Sequence, residues 1–249
     1  MDQEWSQLRQ ALALSGRRRL PVFFRDDDAA DDIPPLRRLL TLFETRRVPL
    51  NLEIIPGRLT DDGTGLLRDA ASRHPDLIGL NQHGWRHENH ERSGKKAEFG
   101  PSRDADKQAQ DIRAGRQRLE EAFGHFFFPV FTPPWNRYSP ATCQILTSLG
   151  FTAISDFGRP DRPALNGIIQ LPATIDIIDW RGSRDLRPVD ELLAQLAVQL
   201  TSVGVIGILL HHQVMGDPAF EFLARLLDIL IESENVSLHR FQSLLRSEQ

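Results

Sequence analysis

A chain of 249 residues, 40% hydrophobic and 26% charged, has the composition of an ordinary globular protein and excludes a disordered or fibrous one. Its 30 basic and 34 acidic residues leave a formal net charge of −4, which argues against a nucleic-acid or acidic-membrane partner. One cysteine, Cys143, excludes an internal disulfide and suits a reducing compartment. The run Arg17-Arg18-Arg19 is too short a basic footprint for a phosphate site and reads as a solvated helix end or loop. The first twenty residues lack the apolar stretch of a signal peptide, and no window reaches the roughly 18 apolar residues of a membrane span. The expectation is a cytoplasmic protein.

Leu20 to Phe24 reads as a buried strand, followed by a helix through Leu36, Leu39, Leu40 and Phe43 at helical spacing. Asp31 and Asp32 fit the cap before the Pro34-Pro35 helix start. Val48 to Ile55 is a second strand, Leu66 to Arg73 a short helix and Leu77 to Leu80 a third strand. His83 to Arg103 is polar and aperiodic, a long loop of the kind that usually carries function. Asp104 to Phe123 is a charged helix stopped by Gly124.

Strands over Phe126 to Phe131, Thr152 to Ser155 and Ile168 to Leu171 follow, with a helix over Thr142 to Leu149 whose apolar face would bury Cys143. Val189 to Leu200 is helical, Val205 to Leu210 a strand, Pro218 to Ile231 an amphipathic helix and Val236 to Leu238 a last strand. The alternation gives an α/β fold over residues 1–249, with no linker or repeat, as a closed barrel or a large doubly wound sheet.

In such folds chemistry collects where strands end, and four polar clusters directly follow apolar runs. They are Arg25-Asp26-Asp27-Asp28, His83 to His87, Thr132 to Asn136, and His211-His212. Three adjacent carboxylates at a strand end are costly unless a cation or a pKa shift compensates; a solvated, helix-capping loop is the alternative. His83 and His87 on a helical turn would share one face and could share an ion, or could be a surface coincidence; His90 reads as surface. Imidazole and carboxylate together suit zinc or another first-row divalent metal, with cobalt, manganese or nickel as alternatives. Cys143 has no partner for a closed structural zinc site. No G-x-S-x-G elbow and no Gly-rich phosphate loop occurs.

Taken in order, these clusters resemble the motifs of the NodB-homology polysaccharide deacetylases, the carbohydrate esterase family of chitin and peptidoglycan deacetylases. The resemblance runs from Val22 to His212 and implies a distorted (β/α) barrel of about seven strands. The family's T-F-D-D-G, laid on Phe24 to Asp28, implies Asp26 as general base and Asp27 as metal ligand beside His83 and His87. R-x-P-P-Y-G resembles Phe131 to Asn136, with Pro134 and Trp135 lining the groove. D-x-x-D-W resembles Asp176 to Trp180, with Asp179 and Trp180 in support. L-x-H resembles Leu209 to His211, implying His211 as general acid.

The third motif's arginine is absent, with Thr132 before the prolines; Arg25 is a candidate substitute, reaching Asp26 only if the strand ends there. Asp28 stands for a glycine and His212 for a frequent aspartate. The implied activity is removal of an N-acyl group from a sugar or related amide. The alternatives are a small linear or cyclic amide as substrate, or a silent carbohydrate-binding protein.

Overall fold

The computed structural model describes residues 2–14, 19–158 and 167–246, so Arg17 and Arg18 of the basic run fall outside them. A helix the sequence reading did not place, α1 (Asp2–Leu14), opens the chain and buries Trp5, Leu8 and Leu12. The elements then alternate: β1 (Leu20–Ala29), α2 (Pro34–Arg46), β2 (Leu50–Ile54), α3 (Asp61–Arg73), β3 (Ile78–His83), α4 (Ala105–Phe123) and β4 (Phe127–Thr132). After these come α5 (Pro140–Ser148), β5 (Ala153–Ile154), β6 (Ile169–Gln170), β7 (Ile175–Asp176), α6 (Val189–Ser202), β8 (Ile206–Leu210), α7 (Asp217–Glu232), β9 (Val236–His239) and α8 (Phe241–Arg246).

The strands pair in parallel in the order β6-β5-β4-β3-β2-β1-β8-β7, with β9 beside the first residues of β1. The expected (β/α) barrel is therefore present as an open parallel half-barrel wrapped in helices, with nine strands among the described residues where about seven were expected. None of its described helices is long and apolar enough to cross a membrane.

Helix ends follow side-chain chemistry. Thr60 caps α3 by accepting the Gly63 N–H at 3.0 Å, and Asp104 caps α4 by accepting from Asp106 N at 2.9 Å and Lys107 N at 3.3 Å. Gly124 ends α4 at φ 56°.

Strand parity positions everything that follows. In β1 the side chains of Val22 and Phe24 pack outward into the helix layer, Phe24 edge-to-face on Phe43 of α2 at 5.2 Å. Phe23 points inward and meets Phe241 of α8 at 5.0 Å, within a second apolar cluster that includes Val130, Leu171 and Leu244. The α8 helix thus plugs the end of the barrel at which the strands begin. Above the plug the inward positions turn polar: Arg25 and Asp27 on β1, Glu53 on β2, Asn81 and His83 on β3, all within 2% of complete burial. Burying this set is tolerable only because its members bond one another.

Candidate active site

The end of β1 differs from its sequence-level reading by one residue. Arg25 and Asp27, two apart, share the inward face, and the guanidinium grips the Asp27 carboxylate with Nε 2.9 Å from Oδ1 and Nη2 3.0 Å from Oδ2. The remaining Arg25 donors reach Ser155 Oγ at 3.0 Å, Asp156 O at 2.9 Å and Asn136 Oδ1 at 2.6 Å. Asp26 points the other way. It is fully buried and accepts from the His212 backbone N–H at 2.8 Å and pairs with His212 Nδ1 at 2.6 Å. The Arg25–Asp26 contact, expected only if the strand ended there, does not form because β1 runs on to Ala29 and keeps the two side chains on opposite faces, and Asp26 is shut away from the cavity.

Asp28 then breaks the alternation. Its backbone is left-handed at φ 73°, and the β1–β2 register shifts between Asp26 and Ala29, so Asp28 follows Asp27 into the same cavity. Asp28, not the predicted Asp27, is the carboxylate that groups with His83 and His87, all three ligand atoms lying within 4.8 Å of one another. Its Oδ1 is 3.4 Å from His83 Nε2 and 3.5 Å from His87 Nε2.

The two histidines do not lie on a helical turn. β3 ends at His83, and the chain doubles back through Gly84 at φ 57° and His87 at φ 58°, leaving the rings 5.2 Å apart. Gly84 is required here, because a Cβ would sit 2.2 Å from Glu98 Oε2 and 2.5 Å from Pro134 Cγ. Glu98, fully buried, holds the turn by accepting from Arg86 N at 2.8 Å, Trp85 N at 3.1 Å and Glu88 N at 3.5 Å.

This donor set fits a divalent cation. His83 Nδ1 donates to Thr132 O at 3.0 Å, which leaves Nε2 facing Asp28, and Asp28 Oδ1 is buried with no hydrogen-bond donor. The charge pattern agrees. Burial alone would raise the Asp28 carboxyl, yet His83, His87 and His211 hold it well below the usual carboxylate range. Burial opposes a charge on His83, yet Asp27, Asp28 and Glu53 push it up to about 9; burial and His83 pull His87 down to about 4. Glu53, which accepts from Asn81 Nδ2 at 3.1 Å, is raised by burial and by Asp27 to about 8.

The cavity above these groups has a volume of about 960 Å³ and is lined by Asp27, Asp28, His83, His87, Trp135 and His211, with further residues at the mouth. His211 continues the inward parity of β8, its Nε2 3.9 Å from Asp27 Oδ2 and its ring edge-on to Trp180 at 4.7 Å. Asp176 accepts the Trp180 Nε1–H at 2.8 Å. Asp179 faces away from the cavity and closes a turn by accepting from Gly182 N at 3.0 Å and from the Arg181 and Ser183 amides at 3.2 Å. Pro134 is buried beneath Gly84 rather than at the wall; Trp135, at φ 56°, lines it and packs at a tilt against His87, the rings 4.2 Å apart. Thr132 supplies a backbone carbonyl, not a charge.

Sequence reasoning passed over Glu53, Asn136 and Glu98. Glu53 had a visible signal as the one charged residue in a strand whose only other polar member is Asn51. Glu98 had none, since nothing in an aperiodic loop announces which carboxylate folds under it. Cys143 is buried in α5, where burial pushes its thiol up to about 11 and keeps it unreactive.

Comparison with protein families matches residues 36–154 to polysaccharide deacetylase. Among solved structures, a Mycobacterium smegmatis protein assigned to the polysaccharide deacetylases superposes with TM-score 0.72 at 16% identity, covering 93% of this chain and 91% of its own. A family 4 acetyl xylan esterase from Clostridium thermocellum, in complex with a cobalt ion, gives 0.58 at 17% identity, with 92% and 91% covered. A family 4 pseudoenzyme from Bacillus anthracis gives 0.61 at 15% identity, covering 91% of this chain and 66% of its own. At such identities the likeness is one of fold. Comparison with curated protein sequences yields no match.

Proposed function

We propose that the chain, whose residues 36–154 match polysaccharide deacetylase and whose fold is that of such proteins, is a metal-dependent hydrolase removing an N-acyl group, acetyl in the first instance, from a sugar or a related small amide. The observation that carries this is the buried, hydrogen-bond-free Oδ1 of Asp28 facing the Nε2 atoms of His83 and His87 at 3.4 and 3.5 Å, beside an arginine-held carboxylate and a cavity-facing histidine.

Asp28, His83 and His87 would hold the cation, zinc first by its affinity for two imidazoles and a carboxylate, with cobalt, manganese or nickel as alternatives. When bound, it supplies Lewis acidity to the acyl carbonyl and acidifies a water. Asp27 takes the proton of the attacking water, as general base. Arg25 balances the charge of Asp27 and fixes the direction of its oxygens, so the guanidinium missing from Thr132 reaches the same cavity from β1. His211, across the cavity from Asp27, gives a proton to the leaving amine, with Trp180 and Asp176 fixing its side of the wall. His212 and Asp26 tie the ends of β8 and β1 together, which sets the spacing of base and acid.

A silent, carbohydrate-binding reading draws on the altered third motif and on a pseudoenzyme relative. Arg25 weighs against it, because a site that had lost its chemistry has no need of a fully buried arginine bidentate on one carboxylate. The test is hydrolysis by purified protein supplied with zinc, cobalt or manganese. Acetate release from N-acetylated sugars is measured beside acid or ammonia release from small linear and cyclic amides. Stoichiometric metal with no hydrolysis of any member would favour the silent reading, and no metal uptake would sink the site itself.

A further inference from the structure

We propose that the substrate carries a carboxylate or phosphate besides its acyl group, held at the mouth of the cavity by Lys95, Arg137 and Arg184. This rests on the deacylation reading and adds which molecules the site selects.

The argument is a balance of charge. On the cavity floor Asp27 is paired with Arg25, Asp28 faces His83 and His87 and would be balanced by a bound cation, and Asp176 accepts the Trp180 Nε1–H and the Ile178 N–H at 2.9 Å. At the mouth the side chains are cationic. Lys95, Arg137 and Arg184 line the same cavity, and among the described residues none of the three forms an ion pair with a carboxylate. A bound divalent cation would make the cavity more positive still.

The three cations come from three separate loops, and their backbones are anchored. Arg137 Nη1 donates to Lys96 O at 2.9 Å, tying the loop that bears Lys95 to the β4–α5 loop. Arg184, left-handed at φ 56°, sits in the turn that the Asp179 carboxylate closes. Trp135, Phe157 and Trp180 line the same cavity and offer flat apolar faces to the body of a sugar or amide. Such a mouth suits a molecule with a ring or short chain between its acyl nitrogen and an anion.

Two or three exposed cation–anion contacts toward the upper end of their usual strength favour an anionic over a neutral substrate by roughly tenfold, the equivalent of about 1.4 kcal/mol. Metal-loaded protein is assayed on N-acetylglucosamine against its 6-phosphate and against N-acetylmuramic acid, which separates phosphate from carboxylate. The anionic members are expected to show kcat/KM at least about tenfold higher, through KM, and the gap to narrow in about 0.5 M salt. In a Lys95→Ala/Arg184→Ala variant the anionic-to-neutral ratio should fall toward one. Equal or better use of the neutral sugar, or a ratio unmoved in the variant, overturns the proposal.

Calorimetric titration of the same ligands gives a second readout. Tighter binding of the anionic sugars that the variant loses supports the charged mouth even if no ligand is hydrolysed, in which case the deacylation reading alone has failed. Equal affinities in both proteins overturn the mouth.

Discussion

Changing each of three consecutive aspartates to asparagine should give three different proteins. Asp26 spends both oxygens on His212, at 2.8 and 2.6 Å and out of contact with solvent, and bonds to charged groups contribute about 1.5–3 kcal/mol each. Asparagine keeps one acceptor oxygen, so Asp26→Asn should cost about 2–3 kcal/mol. For a chain of this size that is a fall in Tm of roughly 4–12 °C. Its metal content and most of its turnover should survive. Asp27→Asn should keep its metal and lose a factor of about 10² to 10⁴ in kcat, the usual worth of a general base. Asp28→Asn should lose metal affinity by at least the 10- to 100-fold or so that removal of an outer partner costs, and turnover with it. Thermal denaturation, metal analysis and kcat on each variant decide the matter. Were Asp26→Asn to keep its Tm and lose turnover while Asp27→Asn stayed active, the base would have been assigned one residue too far along.

Arg25→Met strands Asp27 in the barrel without its counter-charge and should cost about 3–5 kcal/mol by denaturant titration, with turnover lost as well; wild-type stability would refute the ion pair's role. Because His83 is pushed up to about 9 in the metal-free protein, a metal entering near pH 7 must displace its proton. Apparent affinity should therefore rise about tenfold per pH unit and level off above about 9, His87 at about 4 adding nothing in that window; a flat profile would contradict this. Glu53 is raised to about 8 from 4.5, so the folded metal-free state keeps a proton that the unfolded chain releases, and stability is lost as pH rises from 4.5 through about 8. Glu53→Gln should remove that loss, gaining on wild type at about pH 9 relative to about pH 5 in denaturant titrations; an unchanged difference would refute it. Glu98→Gln puts an amide where three backbone N–H groups seek an anion, and should weaken metal binding by about 10- to 100-fold, measured by competition with a chelator.

Much of the scaffold was readable because its signals are local. Asp104 and Gly124 bracket α4 by capping chemistry alone, and the apolar runs ahead of each polar cluster became β1, β3, β4 and β8. The six-residue α8 escaped because an element so short carries no period, and α1 because a polar N-terminal segment carries its apolar stripe on few residues. The acidic triplet was misread for a sharper reason. A two-aspartate motif laid on Arg25-Asp26-Asp27-Asp28 has two registers, and strict alternation allows only one of two adjacent carboxylates into the cavity. The bulge and the left-handed backbone at Asp28 admit both Asp27 and Asp28, and that is a property of the β1–β2 pairing rather than of any residue's propensity. One clue was present: if Arg25 braces a carboxylate from the same strand, parity makes it Asp27.

The plug that α8 drives into the barrel, with Phe241 against Phe23, bars passage through the end at which the strands begin. On the deacylation reading a long chain would be laid over the threshold rather than threaded through the core.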